Sequence, residues 1–163
     1  MKIGRITASD RASAGVYEDL SGPAIERALC ELFPNAEWLR RLVADEQADI
    51  SQALIDLADN NSCALILTTG GTGPTARDIT PEATRAVIDK ELPGFGEIQR
   101  LKSFEVAPTS ILTRATAGIR GSSLIVNLPG RPSAVTECLA ILGPAIRKCV
   151  DLLASDSAPT TRS

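Results

Sequence analysis

A loop rich in glycine, threonine and charged residues, TTGGTGPTARD at residues 68–78, has the chemistry to hold a phosphorylated ligand. Its three glycines let the backbone approach a ligand where side chains would obstruct it. An apolar run precedes the loop and the helix signal Thr80-Pro81 follows it. A strand, a glycine loop and a helix in this order present backbone amides to a phosphate. The residues predicted to form this phosphate cradle are Thr69, Gly70, Gly71, Thr72 and Gly73.

Two better-known glycine loops do not fit this stretch. No Gly-Lys followed by Ser or Thr comes after the glycines, so the loop is not a Walker A motif. A dinucleotide-binding fingerprint would open its helix within the glycines, whereas Pro74 intervenes here and the helix signal waits until Thr80. The remaining alternative is a plain glycine-rich turn, which the density of hydroxyl and charged residues disfavours.

Alternating strand and helix patterns indicate how this loop is positioned. Apolar runs predict strands at residues 2–8, 38–43, 64–69 and 123–128. A helical pattern follows each of the first three runs. We expect Ser21 and Asp45 to cap the first two of these helices, and Thr80-Pro81 to open the third. Such alternation favours βαβ units and a parallel sheet.

Charged and polar residues follow four of the predicted strands at their carboxyl ends. Ser9, Asp10 and Arg11 follow the first strand, Asp45 follows the second, the glycine loop with Asp78 follows the third, and residues 127–132 follow the last. Because ligands of open α/β sheets bind outside the carboxyl ends of the strands, we expect these loops to form one site. Each acid also has a purely structural interpretation: a helix cap for Asp45, a turn former for Asp10, and a salt bridge to Arg77 for Asp78.

The second half of the chain has a less regular pattern. Residues 96–105 predict a helix, and residues 111–119 and 123–128 could pair as an antiparallel hairpin. A long amphipathic helix is predicted over residues 131–153, broken or kinked at Pro144. We therefore expect one domain over residues 1–153 and a disordered polar tail over residues 154–163. Its fold class is α/β: three layers, α/β/α, with a mostly parallel central sheet and a short antiparallel hairpin.

Composition excludes several classes of function. The 163 residues include no histidine, which rules out Ser-His, Cys-His and His-metal chemistry. A net charge of −3 argues against nucleic-acid binding, which needs a basic face. No apolar run is long enough to span a membrane, and the first ten residues do not resemble a signal peptide, so a cytoplasmic location is expected. The four widely spaced cysteines are expected to fill the core rather than bind zinc.

The glycine motif, extended to TTGGTGPTARDITPEAT at residues 68–84, resembles the signature of the molybdenum-cofactor biosynthesis family. The similarity is to its molybdopterin adenylyltransferase branch (Mog/MoaB-like). Four further matches occur in the same order and spacing: SDRASAGVYEDLSG at residues 9–22, DEQ at 45–47, LPGFGE at 92–97 and SLIVNLPGRP at 123–132. Molybdenum insertases and competence-damage-inducible proteins share the glycine motif alone. The five motifs together are therefore more specific than any one of them.

The resemblance implies transfer of an adenylyl group from ATP to the phosphate of molybdopterin, with release of pyrophosphate. Asp45 and Asp78 match the acids that the family uses for catalysis and metal-dependent function, so both are candidate catalytic residues and candidate ligands of Mg²⁺. A phosphate nucleophile is already ionised at neutral pH, so the reaction needs no dedicated general base. This requirement suits a chain without histidine.

The resemblance also suggests binding residues and partners. Besides the phosphate cradle, the candidate substrate-binding residues are Ser9, Asp10, Arg11, Glu97, Asn127, Pro129 and Gly130. The family is commonly homotrimeric and acts before a molybdenum insertase. Two alternatives remain open: a molybdopterin-binding carrier or scaffold without turnover, and a nucleotide pyrophosphohydrolase on the same fold. Arg77 stands where hydrolase-type relatives tend to carry an acid, which favours transfer over hydrolysis.

Overall fold

The strands form one six-stranded sheet in the computed structural model of the chain, which describes residues 1–156. They are β1 (Lys2–Ala8), β2 (Glu37–Val43), β3 (Leu65–Thr69), β4 (Lys90–Glu91), β5 (Ala117–Arg120) and β6 (Ser123–Leu128). The spatial order is β2-β1-β3-β6-β5-β4. Strands β2, β1, β3 and β6 are parallel, and β5 pairs antiparallel with both β6 and β4. The four parallel strands therefore end at one edge of the sheet.

Helices cover both faces of this sheet. They are α1 (Asp10–Ser13), α2 (Ser21–Leu29), α3 (Gln47–Ile55), α4 (Thr80–Arg85), α5 (Gly94–Phe104) and α6 (Pro132–Asp156). A wider helical turn, Asp56–Asn60, extends α3, and a short 3₁₀ helix spans Pro108–Leu112. Strand side chains alternate between the faces. Leu65 and Leu67 pack with α2 and α6, whereas Ile66 packs with α3 and α4. The predicted three-layer α/β/α fold with its antiparallel hairpin is confirmed.

Two predicted helix caps are wrong. The carboxylate of Asp19, rather than the hydroxyl of Ser21, accepts the Gly22 amide at the start of α2, with 2.9 Å between N and Oδ1. Helix α3 begins one residue later than expected, after Glu46, and has no side-chain cap. The carboxylate of Asp45 turns to the loop after β1 instead. That orientation makes Asp45 available at the edge of the sheet.

The second half differs from the prediction in three places. Strand β5 covers only the last part of the predicted 111–119 segment, because Pro108 opens a 3₁₀ helix there. Pro144 lies inside α6 without ending it, since the helix buries apolar side chains on both sides of the proline, including Leu139 and Ile146. The same helix includes residues 154–156, which were predicted to belong to the tail. The rest of the predicted tail, residues 157–163, lies outside the described residues.

The cysteines are all free thiols. Cys63 and Cys138 are buried in the core as expected, and Cys149 is half-buried. Cys30 is exposed at the end of α2, which corrects the expectation for that residue. No helix within residues 1–156 is long and apolar enough to cross a membrane.

Candidate active site

The loops after β1, β2, β3 and β6 line a cleft of about 400 Å³ at the carboxyl edge of the sheet. The predicted site residues that line it are Ser9, Asp45, Gly70, Gly71, Asp78 and Gly130. Three residues of the loop before α2, namely Tyr17, Glu18 and Asp19, line it as well. The structure thus brings together candidates that lie far apart in the sequence. It does so because parallel strands end side by side at one edge.

Asp10 and Asp45 form reciprocal hydrogen bonds between the loops that follow β1 and β2. The Asp10 amide donates to Asp45 Oδ2 at 2.9 Å, and the Asp45 amide donates to Asp10 Oδ1 at 3.0 Å. Each carboxylate therefore accepts the backbone N–H of the other residue. This reciprocal pair fixes both loops at the edge of the cleft, which explains why Asp45 faces the cleft rather than capping α3.

Arg77 pairs with the acids of the neighbouring loops rather than with Asp78. Its guanidinium donates to both carboxylate oxygens of Asp10, at 3.0 and 2.8 Å, and to Glu46 Oε1 at 2.9 Å. Hydrogen bonds from Arg77, and then the Asp45 amide, lower the pKa of Asp10. The same ion pairs raise the pKa of Arg77. The purely structural interpretation of Asp78 was a salt bridge to Arg77. Because Arg77 pairs with Asp10 and Glu46 instead, this interpretation is excluded.

Asp45 and Asp78 lie in different electrostatic environments. Burial raises the pKa of Asp45, and the negative charges of Asp10 and Asp78 raise it further. The hydrogen bond from the Asp10 amide and the positive charge of Arg77 lower it, but the net pKa is raised. Burial also acts to raise the pKa of Asp78, but hydrogen bonds from Thr75 and the Gly73 amide outweigh it, and the net pKa is lowered. Asp78 is therefore held as a carboxylate, whereas the negative charge on Asp45 is disfavoured. A cation at this edge would stabilise that charge.

Hydrogen bonds within the glycine loop orient the Asp78 carboxylate. The amide and the hydroxyl of Thr75 both donate to Asp78 Oδ2, at 2.9 and 2.6 Å. A Cβ on Gly73 would lie 2.9 Å from the same oxygen. The loop is therefore wrapped closely around this carboxylate.

Two glycines allow the loop to pass between β1 and α4. Gly70 has a φ of +92°, and a Cβ there would lie 2.3 Å from the carbonyl oxygen of Ala8. Gly71 has a φ of +64°, and its Cβ would lie 2.4 Å from Thr80 Oγ1 and 3.2 Å from Asp45 Oδ1. Positive φ together with such close approach is tolerated by glycine alone. The loop thus depends on both residues for its path beside Asp45.

A second pocket of about 600 Å³ adjoins the first. Tyr17 and Gly130 line both pockets and form their common wall. Its other polar lining includes Gln99, Ser103, Ser110 and Thr113, together with the predicted residue Pro129. The Ser110 hydroxyl is buried and has no hydrogen-bond partner within residues 1–156. Two adjacent pockets suit a reaction between two substrates.

Two predicted residues are buried beneath the cleft instead of facing it. The Thr69 hydroxyl is fully buried and donates to the Pro129 carbonyl at 2.7 Å. Asn127 is also fully buried, and its amide nitrogen donates to the hydroxyls of Thr68 and Thr84, both at 2.9 Å. Both residues therefore tie the carboxyl ends of β3 and β6 together. Asn127 is predicted from sequence to bind substrate, and in this structure its side chain faces the interior rather than the cleft.

The remaining predicted residues have mixed positions. Thr72 is nearly buried and its hydroxyl accepts a hydrogen bond from Thr113 at 3.2 Å. Arg11 is exposed and stacks over the ring of Tyr17, with 5.3 Å to the ring centroid. Ser9 Oγ accepts the Ala12 amide and lies 3.1 Å from the Tyr17 hydroxyl. Glu97 is exposed on α5 and is not among the described residues that line either pocket.

Tyr17, Asp19 and Arg114 lie at the cleft or against the glycine loop but were not among the residues predicted from sequence. Tyr17 and Asp19 lie inside the motif SDRASAGVYEDLSG, so the motif carried a signal, but both residues follow the strand at a distance rather than directly. Arg114 lies between the 3₁₀ helix and β5, in a segment that was predicted to be a strand. Its contacts with the glycine loop depend on tertiary structure.

The acids at the cleft suit a cation that the substrate helps to bind. Within residues 1–156, no three His, Cys, Asp or Glu side chains are grouped so as to hold a metal ion by themselves. Mg²⁺ is commonly bound by one or two carboxylates together with substrate phosphates. Asp45, with its disfavoured charge, and the ionised Asp78 fit that smaller donor set.

Comparison with known proteins decides the family. Residues 4–148 match the model of a family described as a probable molybdopterin binding domain. The chain belongs to this molybdopterin-binding family. Molybdopterin adenylyltransferase of Helicobacter pylori J99 is 55% identical over 152 residues, which are 93% of this chain and 86% of the relative. The enzyme of the same name from Escherichia coli K12 is 51% identical over 140 residues, 85% of this chain and 72% of the relative.

Solved structures agree with this family assignment. MoaB from Thermus thermophilus, described as a molybdopterin biosynthesis enzyme, superposes with a TM-score of 0.86 at 38% identity. The match covers 94% of this chain and 96% of that one. CinA from Thermoplasma acidophilum, at 18% identity and a TM-score of 0.68 over 90% of this chain and 99% of its own, shares the fold alone. The family predicted from the five motifs is confirmed.

Proposed function

We propose that the protein is a molybdopterin adenylyltransferase. It transfers the adenylyl group of ATP to the phosphate of molybdopterin and releases pyrophosphate. The observation that carries this proposal is that Asp45, Asp78 and the glycine loop meet at one cleft, in a chain 51–55% identical to enzymes of that name. Magnesium, the site residues and the assembly described below belong to the same proposal.

The reaction exchanges one phosphorus–oxygen bond for another. A phosphate oxygen of molybdopterin attacks the α-phosphorus of ATP, the bond from that phosphorus to the bridging oxygen breaks, and pyrophosphate leaves with the electron pair. The attacking phosphate is ionised at neutral pH, so no side chain has to remove a proton. The protein must therefore align the two phosphates and balance their charge.

The residues at the cleft divide these tasks. Backbone amides of the loop around Gly70 and Gly71 bind phosphate oxygens, because both glycines line the cleft and carry no side chain that would cover the backbone. Asp45 and Asp78 would hold Mg²⁺ together with the phosphates. When bound, Mg²⁺ neutralises phosphate charge and supports the leaving group. Asp10, which Arg77 keeps ionised, holds the Asp45 loop in place.

The two adjoining pockets accommodate the two substrates. Their volumes of about 400 and 600 Å³ lie within the range of small-molecule sites. The phosphate ends of ATP and molybdopterin meet near the common wall at Gly130, beside the glycine loop. A Cβ on Gly130 would lie 3.5 Å from the Cα of Gly70, so this wall contacts the loop directly.

The proposal extends to assembly and location. The protein assembles as a homotrimer. Exposed apolar side chains on α5 and the following segment support self-association, namely Leu101, Phe104, Val106, Ile111 and Leu112. The product passes to a molybdenum insertase, and the enzyme works in the cytoplasm. Sedimentation of the purified chain tests the trimer, since a monomer at micromolar concentration contradicts it.

A reconstituted reaction tests the proposed function. Purified protein, molybdopterin, ATP and Mg²⁺ are mixed, and adenylated molybdopterin is measured by mass together with pyrophosphate. We expect product only when all four components are present, and none after chelation of the metal. Pyrophosphate without pterin would indicate a hydrolase instead. Tight pterin binding without product would indicate a carrier.

A further inference from the structure

Arg114 holds the far side of the glycine loop from outside the cleft. Its Nε donates to the Gly73 carbonyl at 2.8 Å, and its Nη2 donates to the Asp78 carbonyl at 2.6 Å. The same guanidinium forms an ion pair with Glu82 on α4 through Nη1 and Nη2. One side chain therefore connects the middle of the loop at Gly73, its end at Asp78 and the helix α4 that follows it.

The two carbonyls held by Arg114 bracket the segment that orients the Asp78 carboxylate. The amide of Gly73 and the amide and hydroxyl of Thr75 hydrogen-bond this carboxylate from within the bracketed segment. Fixing both ends of a short loop restricts the positions open to the groups between them. Arg114 thus acts on the carboxylate of Asp78 through its backbone, without facing the substrate.

The same residue connects the glycine loop with the second pocket. The Arg114 amide donates to the Thr72 carbonyl at 2.8 Å, and the hydroxyl of its neighbour Thr113 donates to Thr72 Oγ1 at 3.2 Å. Thr113 lines the second pocket. Two hydrogen bonds to Thr72 and the guanidinium of Arg114 therefore join the lining of the second pocket to the glycine loop.

We propose that Arg114 is a positioning residue for adenylyl transfer. It fixes the segment between Gly73 and Asp78 so that the Asp78 carboxylate is held in its reactive position, and it links that position to the second pocket. This inference rests on the proposed role of the cleft. The planar guanidinium of Arg114 presents its donors in a fixed fork that serves two carbonyls and a carboxylate together. A lysine ammonium is a compact point charge on a flexible stem, so lysine is not an equivalent replacement.

Steady-state kinetics of Arg114→Lys and Arg114→Gln test the inference. A misplacement of catalytic groups by about 1 Å costs on the order of 10²-fold in rate. We expect kcat to fall at least about tenfold in both variants. KM for ATP and for molybdopterin should change less than about threefold, because the substitution displaces the Asp78 carboxylate without removing a group that lines either pocket. Lysine should not restore kcat. The folded fraction is measured by circular dichroism under the conditions of the assay.

Arg120→Gln is the matched control. Arg120 also pairs with a carboxylate, Asp59, and donates to a backbone carbonyl, that of Val87, but it lies outside both pockets. We expect a loss of stability comparable with that of Arg114→Gln, but an unchanged kcat. If the folded Arg114 variants also keep kcat, or if lysine restores it fully, Arg114 is merely structural.

Asp78→Ala separates this inference from the proposed function. If Asp78→Ala loses turnover while the Arg114 variants keep it, the cleft is the active site and the inference about Arg114 is wrong. If Asp78→Ala itself keeps full turnover, the proposed role of the cleft is wrong, and the inference about Arg114 is overturned with it.

Discussion

Replacing Gly70 by alanine should destabilise the fold more than replacing a glycine with the same backbone requirement elsewhere. Gly70 and Gly121 both have positive φ, at +92° and +54°. A side chain in the left-handed region costs about 1–2 kcal/mol. A Cβ at position 121 would meet no atom within 4 Å, whereas at position 70 it would lie 2.3 Å from the Ala8 carbonyl oxygen.

The carbonyl of Ala8 cannot move away easily. Ala8 is the last residue of β1 and is buried, and the next residue, Ser9, donates its amide to the Val43 carbonyl at 2.9 Å. Forcing extra volume into such a position costs typically about 1–3 kcal/mol. We therefore expect Gly70→Ala to lower the free energy of unfolding by about 2–5 kcal/mol, against about 1–2 kcal/mol for Gly121→Ala.

Urea unfolding of both variants measures this difference directly. The free energy of unfolding of a domain is about 5–15 kcal/mol, so the Gly70 variant should remain folded enough for assay near 10 °C. There we expect its turnover to fall sharply, since Gly70 carries the loop into the cleft, and that of Gly121→Ala to stay unchanged. Equal destabilisation by the two substitutions would refute the argument from close approach.

Two further substitutions probe Asp45, which is half-buried, and Asn127, which is fully buried. Asp45→Asn should leave the fold as stable or more stable at neutral pH, because burial raises the pKa of Asp45 and its charge is disfavoured in the folded state. Because the pKa of Asp45 is raised in the folded state, the wild type loses stability as the pH rises through that folded pKa. The difference in free energy of unfolding between the two proteins should therefore disappear below pH 3.8, the ordinary pKa of the group. Unfolding experiments across pH 3–8 measure it, and a wild type more stable than the variant at pH 7 contradicts the reasoning. Asn127→Ala should lower the free energy of unfolding by about 2–4 kcal/mol, since it leaves buried hydroxyls without a partner, yet keep KM for both substrates. A raised KM with unchanged stability would instead place Asn127 at the substrate.

The sheet and its active edge could be predicted from sequence because they depend on local patterns. Apolar runs of strand length and the helical patterns between them determine a parallel sheet, and a parallel sheet determines which loops meet. Asp45 and the glycine loop were placed at one edge by this reasoning alone. The first strand, residues 2–8, was predicted with its correct bounds.

Side-chain depth and partner choice could not be predicted in the same way. Asn127 lies near the end of β6, next to the cleft. Only the pairing of β3 with β6 and the hydrogen bond to Thr68 show that its side chain faces the interior. Arg77 adjoins Asp78 in sequence but pairs with Asp10, which lies 67 residues away. Arg114 was not predicted as a site residue because it falls within the predicted strand at residues 111–119. Pro108 alone does not indicate how far the irregular segment extends before β5 begins.

The most direct test of the central claim is the rate of adenylyl transfer in Asp45→Asn and Asp78→Asn. Both variants keep side-chain oxygens that can accept hydrogen bonds but lose the charge proposed to act at the phosphates. Asp151→Asn serves as control, because Asp151 is an exposed partner of Arg147 on α6. We expect formation of adenylated molybdopterin to fall by about 10² or more in both cleft variants, on the scale of lost electrostatic stabilisation, and to be unchanged in the control. Full transfer activity in a folded Asp45→Asn or Asp78→Asn protein would contradict the assignment of this cleft as the active site.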